Sequence, residues 1–238
     1  MISILPVAGL PEIRAGDDLG ALIAAHAELQ NGDVVVVAHK VVSKAEGRVA
    51  RLDDVDASER ARELAAADGR DPRELEVVLR EARRVVRSRD SLVIAETKHG
   101  FVCASAGVDH SNAPDAATVV LLPLDPDASA RRIRDALGAS VAVIVSDSFG
   151  RPFRQGTTDV AIGVAGLAPL LDLRGTTDRA GRELRSTQIA VADELAAAAD
   201  LARGKADGVP VVVVRGYRAV GDGRASDLVM PPDRDLFR

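Results

Sequence analysis

Asp147 and Ser148 close an apolar run, "VAVIV" at 141–145, and open a polar stretch, "SDSFGRPFRQGTTD", at 146–159. A carboxylate beside a hydroxyl suits a hard divalent cation, which takes oxygen ligands and often bridges phosphates. Taken alone, the pair reads more simply as a turn or helix cap. Asp109 follows another apolar run, in "AGVDHSNAPD", with Ser111, Asn112 and Asp115 close behind. These are turn formers too, yet two strand ends that each carry an aspartate supply carboxylates from separate loops, as a divalent site needs. Arg151, Arg154, Gln155, Thr157 and Thr158 come after Asp147 in a glycine-containing stretch. Arginines there suit bidentate capture of phosphate or carboxylate, or make a basic surface loop. Lys44, in "HKVVSKAEGR" at 39–48, could set an ammonium on a phosphate or pair with Glu46. Gly216, Gly221 and Gly223 follow the last apolar run, and such a loop can bring backbone amides to a phosphate.

Several site types are absent. There is no GxxxxGK[ST], no GxGxxG after the first strand and no HExxH, and four His with one Cys give no zinc pattern. A phosphate or metal site must therefore use carboxylates, hydroxyls and backbone. A net charge of −5 and 2% aromatic residues without Trp argue against a nucleic-acid partner. Cys103, in "GFVCASAG", is the only cysteine; it reads as a small buried hydrophobe, and no disulfide can form within one chain. The start, "MISILPVAGLPEI", lacks the charged end and long apolar core of a signal peptide, and no apolar run is long enough to span a bilayer. The expectation is a cytoplasmic protein with no membrane partner.

The elements that must hold these residues mix without strict alternation. "ISILPV", "DVVVVAH", "SLVIAET", "FVCASAG", "TVVLLPL", "VAVIVSD" and "VPVVVVRG" read as strands, and "TDVAIGVAG" as a further one. Helical spacing marks 17–29, "DASARRIRDALG" closed by Gly138, and "TQIAVADELAAAADLARG" ending at Gly204, with Asp193 and Glu194 on its solvated side or lining a cleft. A helical block is expected from about Ser58 to Arg87, broken at "DGRDP", where Asp71 caps and Pro72 starts the next helix. Residues 51–90 could thus form a helical subregion. Strands adjacent in sequence predict antiparallel pairing, so the fold class is α+β, with mixed, largely antiparallel sheets and packed helices.

The pieces "ILPVAGLPEI", "VVSKAEGR", "SAGVDHSN", "SDSFGRPFRQGTTDVAIGVAGL", "DLRGTTDRAGREL", "QIAVADELAAAADL" and "PVVVVRG" occur in one order over nearly the whole chain. Together they resemble the coenzyme F420-0:γ-glutamyl ligase family, with SDSFGRPFRQG the most specific. The resemblance implies one ligase domain over 1–238, in an unusual α+β fold that pairs as a homodimer. The nitroreductase-like C-terminal domain of some relatives is not expected. It implies an enzyme that uses GTP, with Mg²⁺ or Mn²⁺ (two per site) and K⁺, to attach L-glutamate to the deazaflavin precursor F420-0. By the family's motifs, Asp109 and Asp147 correspond to ligands of a first divalent ion and Ser148, in place of the more usual Thr, to a ligand of a second. Gly9, Leu10, Pro11, Glu12, His39, Lys44 and Asn112 fall at nucleotide contacts, with His39 where a small hydroxyl residue is usual. Gly216 would help complete the phosphate site, and Arg151, Arg154, Gln155 and Thr157 would face the acidic substrates. No residue is assigned as general base. A metal-dependent nucleotide phosphohydrolase or a non-catalytic nucleotide-binding module would use the same carboxylates.

Overall fold

A computed structural model describes residues 1–138, 140–204 and 207–236. Strand β1 (Ser3–Pro6) leads to helix α1 (Leu19–His26), whose N-cap Asp18 accepts from Ala21 N. Strand β2 (Val34–Ala38) runs directly into α2 (His39–Ala45). Strand β3 (Val49–Arg51), α3 (Glu59–Ala65), α4 (Pro72–Glu81), β4 (Ala82–Arg89), β5 (Leu92–Thr97), β6 (Val102–Ala104) and β7 (Thr118–Val120) then form a second region. The chain returns through α5 (Pro126–Ala136), the long β8 (Ala142–Arg151) and β9 (Arg154–Ala165). It finishes with the short β10 (Leu171–Asp172) and β11 (Gln188–Ile189), α6 (Val191–Arg203) and β12 (Val211–Arg215).

The main sheet has the order β1-β12-β2-β8-β9. Among the described residues, only β2 and β8 run parallel; the other strand pairs, including those of the three smaller sheets, are antiparallel. This is the α+β arrangement that the adjacent strands predicted. Val34–Val37, Ala142–Val145 and Val211–Val214 are almost wholly buried, so both faces of the central strands are covered. That is why these runs are continuously apolar rather than alternating. A second core of Leu52, Leu64, Leu75, Val78, Val93, Val119 and Leu121 lies under α3 and α4. Among the described residues, no helix is long and apolar enough to cross a membrane.

Two expectations need correction. The helical block stops at Glu81, and Ala82–Arg89 is strand β4, paired with β5. "ARRVVRSR" is too short to separate the two periods. What decides it is tertiary: buried Glu96 on β5 draws Arg84 Nε to 2.7 Å and Arg83 Nη1 to 3.3 Å. A helical subregion therefore covers only part of 51–90. The Asp71–Pro72 start is as expected, with Asp71 Oδ1 accepting from Arg73 N.

The polar stretch after Val145 is likewise not a loop. It continues β8 and folds back as β9, pairing Asp147 with Val160, Ser148 with Asp159 and Gly150 with Thr157. A register shift between Val145 and Ser146 marks where the buried half of β8 gives way to the polar half.

Candidate functional site

The parallel neighbours β2 and β8 end side by side, with Ala38 opposite Ser146. A cleft of about 310 Å³ opens at that edge, the usual place for a site beside parallel strands. Leu10, Pro11 and Glu12 line it from the segment after β1, and His39, Lys40 and Lys44 from α2. Ser146, Asp147, Ser148 and Asp159 line it from the β8–β9 pair, with Asn112, Arg203, Gly204 and Gly208–Pro210 completing it. A smaller cavity of about 90 Å³ adjoins and shares Asp147 and Ser148. Asp109, Cys103 and Phe149 line that one. The two aspartates singled out from sequence therefore border one cavity.

Asp109 forms a backbone bridge to Val120 and accepts from Lys40 Nζ at 2.8 Å and from Ser111 N at 2.7 Å. Burial works to raise its carboxyl, but Lys40 and Ser111 outweigh it and hold it below the usual carboxylate range. The next residue, His110, sends Nε2 to within 2.7 Å of Glu74 Oε2 on α4. Glu74 is buried and also paired with Arg70, so the second core anchors the Asp109 loop.

Asp147 Oδ1 accepts from Ser148 N at 2.7 Å. It also lies 3.2 Å from Nε2 of the fully buried His39, without hydrogen-bond alignment. The Ser148 hydroxyl donates to Asp159 Oδ1 at 2.6 Å. Asp159, 1% exposed, also accepts from Ser146 Oγ at 2.8 Å and from Arg203 Nη1 at 2.6 Å. Arg203 is buried, and its Nε and Nη2 have no hydrogen-bond partner among the described residues. Lys44 Nζ pairs with Glu12 Oε1 at 2.6 Å. Glu46, the pairing that sequence offered for Lys44, turns instead to Ser129 and Arg132. Burial, with the Asp147 charge second, pushes the Cys103 thiol up to about 12, so it stays protonated, as a small buried hydrophobe should.

The profile of the family described as F420-0:gamma-glutamyl ligase matches residues 9–216. The chain belongs to this family. It is 48% identical to the coenzyme F420:L-glutamate ligase of Methanopyrus kandleri, over 100% of this chain and 98% of that protein. It is 44% identical to the protein so named from Methanothermobacter thermautotrophicus, over 100% and 99%. With the Halobacterium salinarum protein of that name it shares 47% identity, over 98% and 94%.

Seen as a γ-glutamyl ligase fold, the cleft gathers Leu10, Pro11, Glu12, His39, Lys44, Asn112, Asp147 and Ser148, with Asp109 next door. Gly9 stands just outside, at the turn into Leu10, with φ +82. Gly216 does not join them. The β12–β2 register puts it beyond the Val34 end of β2, whereas the cleft lies at the Val37 end. A Cβ on Gly216 would meet Met1 O at 2.1 Å, so the glycine lets the chain pass β1. Its neighbour Arg215 clamps Asp33 through Nε and Nη2. Arg151, Arg154, Gln155 and Thr157 sit on the exposed β8–β9 hairpin, where Arg151 donates to Gln155 O, and none lines either cavity. Of the two readings for Asp193, the cleft one holds: it is half-buried, lines a separate groove and accepts from Ala161 N at 2.9 Å, while Glu194 is exposed.

Lys40, Asp159, Arg203 and the Gly208–Pro210 segment were not picked out by sequence. Asp159 could have been found had 146–159 been read as a hairpin, because cross-strand pairing sets it against Ser148. Arg203 closes an alanine-rich helix, where a cation ordinarily answers the helix dipole, and gave no signal.

The donor set fits a hard divalent cation. Asp109, Asp147 and Ser148 offer oxygens, and Asp109 is held ionised. Among the described residues, no three His, Cys, Asp or Glu side chains converge. Waters and phosphate oxygens would have to complete the coordination, which is how Mg²⁺ is ordinarily held beside a nucleotide.

Proposed function

We propose that this protein joins L-glutamate to coenzyme F420-0 with GTP, through an acyl phosphate, and extends the product by γ-linked glutamates. The observation that carries the proposal is the cleft itself: carboxylates and a hydroxyl suited to a metal–triphosphate face Lys40, Lys44 and Arg203, in a chain of this family. A carboxylate and an amine do not condense favourably in water. In the proposed route an acceptor carboxylate oxygen attacks the γ-phosphorus and GDP leaves. The glutamate amine then attacks the acyl carbon and phosphate departs with that oxygen. The amine proton passes to solvent or to a base that no residue here identifies.

Each residue has a part in this reading. Glu12 holds Lys44 at the cleft, where its ammonium would meet phosphate. Arg203 has two nitrogens without a partner among the described residues, which it could offer an anion. Asp109, Asp147 and Ser148 would hold Mg²⁺ or Mn²⁺, two per site, with K⁺ as a further cation. The bound divalent ions would offset repulsion between the anionic acceptor and the triphosphate. A homodimer is part of the proposal, and light scattering should show twice the 24.9 kDa chain mass.

The decisive experiment uses F420-0 labelled with oxygen-18 in its carboxylate, with glutamate, GTP and Mn²⁺. One GDP and one phosphate should form per glutamate joined, and label should appear in the phosphate. Label kept wholly in the amide, or AMP and pyrophosphate as products, would exclude the route. GTP hydrolysis without glutamate incorporation would favour a phosphohydrolase. For Lys44→Met, nucleotide binding should weaken by about 1.5–3 kcal/mol, the scale of a hydrogen bond to a charged group. Calorimetric titration with GTP and metal reads this, and unchanged affinity would remove Lys44 from the phosphate site.

A further inference from the structure

Next to the site, on the other side of Phe149, lies a groove of about 270 Å³ that the proposed chemistry has not used. Phe101, Val102, Phe149, Val160, Val229 and Met230 line it. The chain is poor in aromatic residues, with four Phe, one Tyr and no Trp, yet two of the four Phe meet here edge to face, 6.3 Å apart at 69°. Such walls suit a flat conjugated ring.

The groove is continuous with the site through β8 and β9. Phe149 is two residues beyond Asp147, so both project from the same sheet face about 7 Å apart. Phe149 also lines the small cavity that holds Asp109 and Asp147. Val160, another lining residue, is the cross-strand partner of Asp147. A ligand with its ring in the groove would therefore direct a flexible tail to the two aspartates. Besides Asp235, which also lines the groove, Asp193 adds a polar group. Its Oδ1 accepts from Ala161 N, which leaves the carboxylate able to accept an imide N–H as well.

We infer that this groove is the subsite for the planar heteroaromatic end of the acceptor, a deazaflavin whose far end carries the carboxylate to be activated. The inference rests on the ligase reading for the identity of the acceptor. The ring lies against Phe149 and Phe101, bordered by Val102 and the Val229–Met230 segment.

The test is an equilibrium titration with F420-0, and separately with the deazaflavin nucleoside that lacks phosphate and acid, without GTP or metal. Deazaflavin fluorescence is the readout, and a chain without Trp contributes little background. Met230 is half exposed and Val102 is 38% exposed, so charged substitutions there need not unfold the protein. In Met230→Asp and in Val102→Asp, ring binding should weaken at least about tenfold, because a charge now faces an apolar ligand. The KM for F420-0 should rise in step while the KM for GTP holds, and Met230→Leu should behave as the parent. Unchanged nucleoside binding in both Asp variants overturns the inference, as does a parent protein that does not bind the nucleoside. A Met230→Asp protein with altered particle mass but unaltered ring binding would make the groove an interface between copies, which also overturns it. The ligase reading fails separately: ring binding that is lost in the variants, with no glutamylated product from the parent, keeps the subsite and removes the reaction.

Discussion

Asp147→Asn is expected to leave the protein folded and to reduce turnover by at least about 100-fold, the scale seen when one electrostatic contact to developing charge is lost. The substitution keeps the size of the side chain. Its oxygen can still accept from Ser148 N, so the local backbone of β8 has no reason to move. The lost charge faces the cleft beside Asp109 and buried His39, where a hard cation needs anionic oxygen. Asp109→Asn should behave alike in turnover. It differs in the fold, since it also releases Lys40, an ion pair with both side chains partly exposed and hence of little weight. Thermal unfolding and glutamate incorporation across a Mn²⁺ series read the two effects apart. Near-normal incorporation by a folded Asp147→Asn protein would sink the metal role.

For Arg203→Met the expectation is different: stability itself should fall, by about 3 kcal/mol, the cost typical of removing one partner of a buried ion pair. Asp159 would keep the Ser146 and Ser148 hydroxyls but lose the guanidinium 2.6 Å away, at a position 1% exposed to water. Turnover should fall as well, because the Ser148 hydroxyl is held by the same carboxylate and Arg203 lines the cleft. The double variant Arg203→Met with Asp159→Leu separates the two. It should recover much of the stability, since apolar residues often replace a buried pair without loss. Turnover should stay low. Urea midpoints at constant slope measure the first effect. A midpoint unchanged in Arg203→Met would show that the pair does not hold the β9–α6 junction together.

Residue order alone carried much of this protein. The apolar runs at 34–37, 142–145 and 211–214 are rich enough in valine and isoleucine to read as strands, and their lack of alternation already announces burial on both faces. The caps at Asp71 and Gly204 are local chemistry, legible because a cap acts within one turn. The motif around Asp147 carried the family resemblance.

Tertiary structure decided what depends on distance across the fold. "ARRVVRSR" became a strand because Glu96, twelve residues beyond Arg84, gives its arginines a buried partner. The stretch at 146–159 became a hairpin, which turned its arginines out to water and brought Asp159 back beneath Ser148. Gly216 follows a strand just as a phosphate loop would. An antiparallel partner nevertheless delivers it to the end of the sheet away from the cleft. Lys40 and Arg203 reached the site because β2 runs parallel to β8 and α6 ends at the same edge. Periodicity and capping are set by neighbours within a few residues and can be read along the chain. Which end of a strand meets which loop is set by sheet order and direction, and those exist only once the long-range pairs have formed.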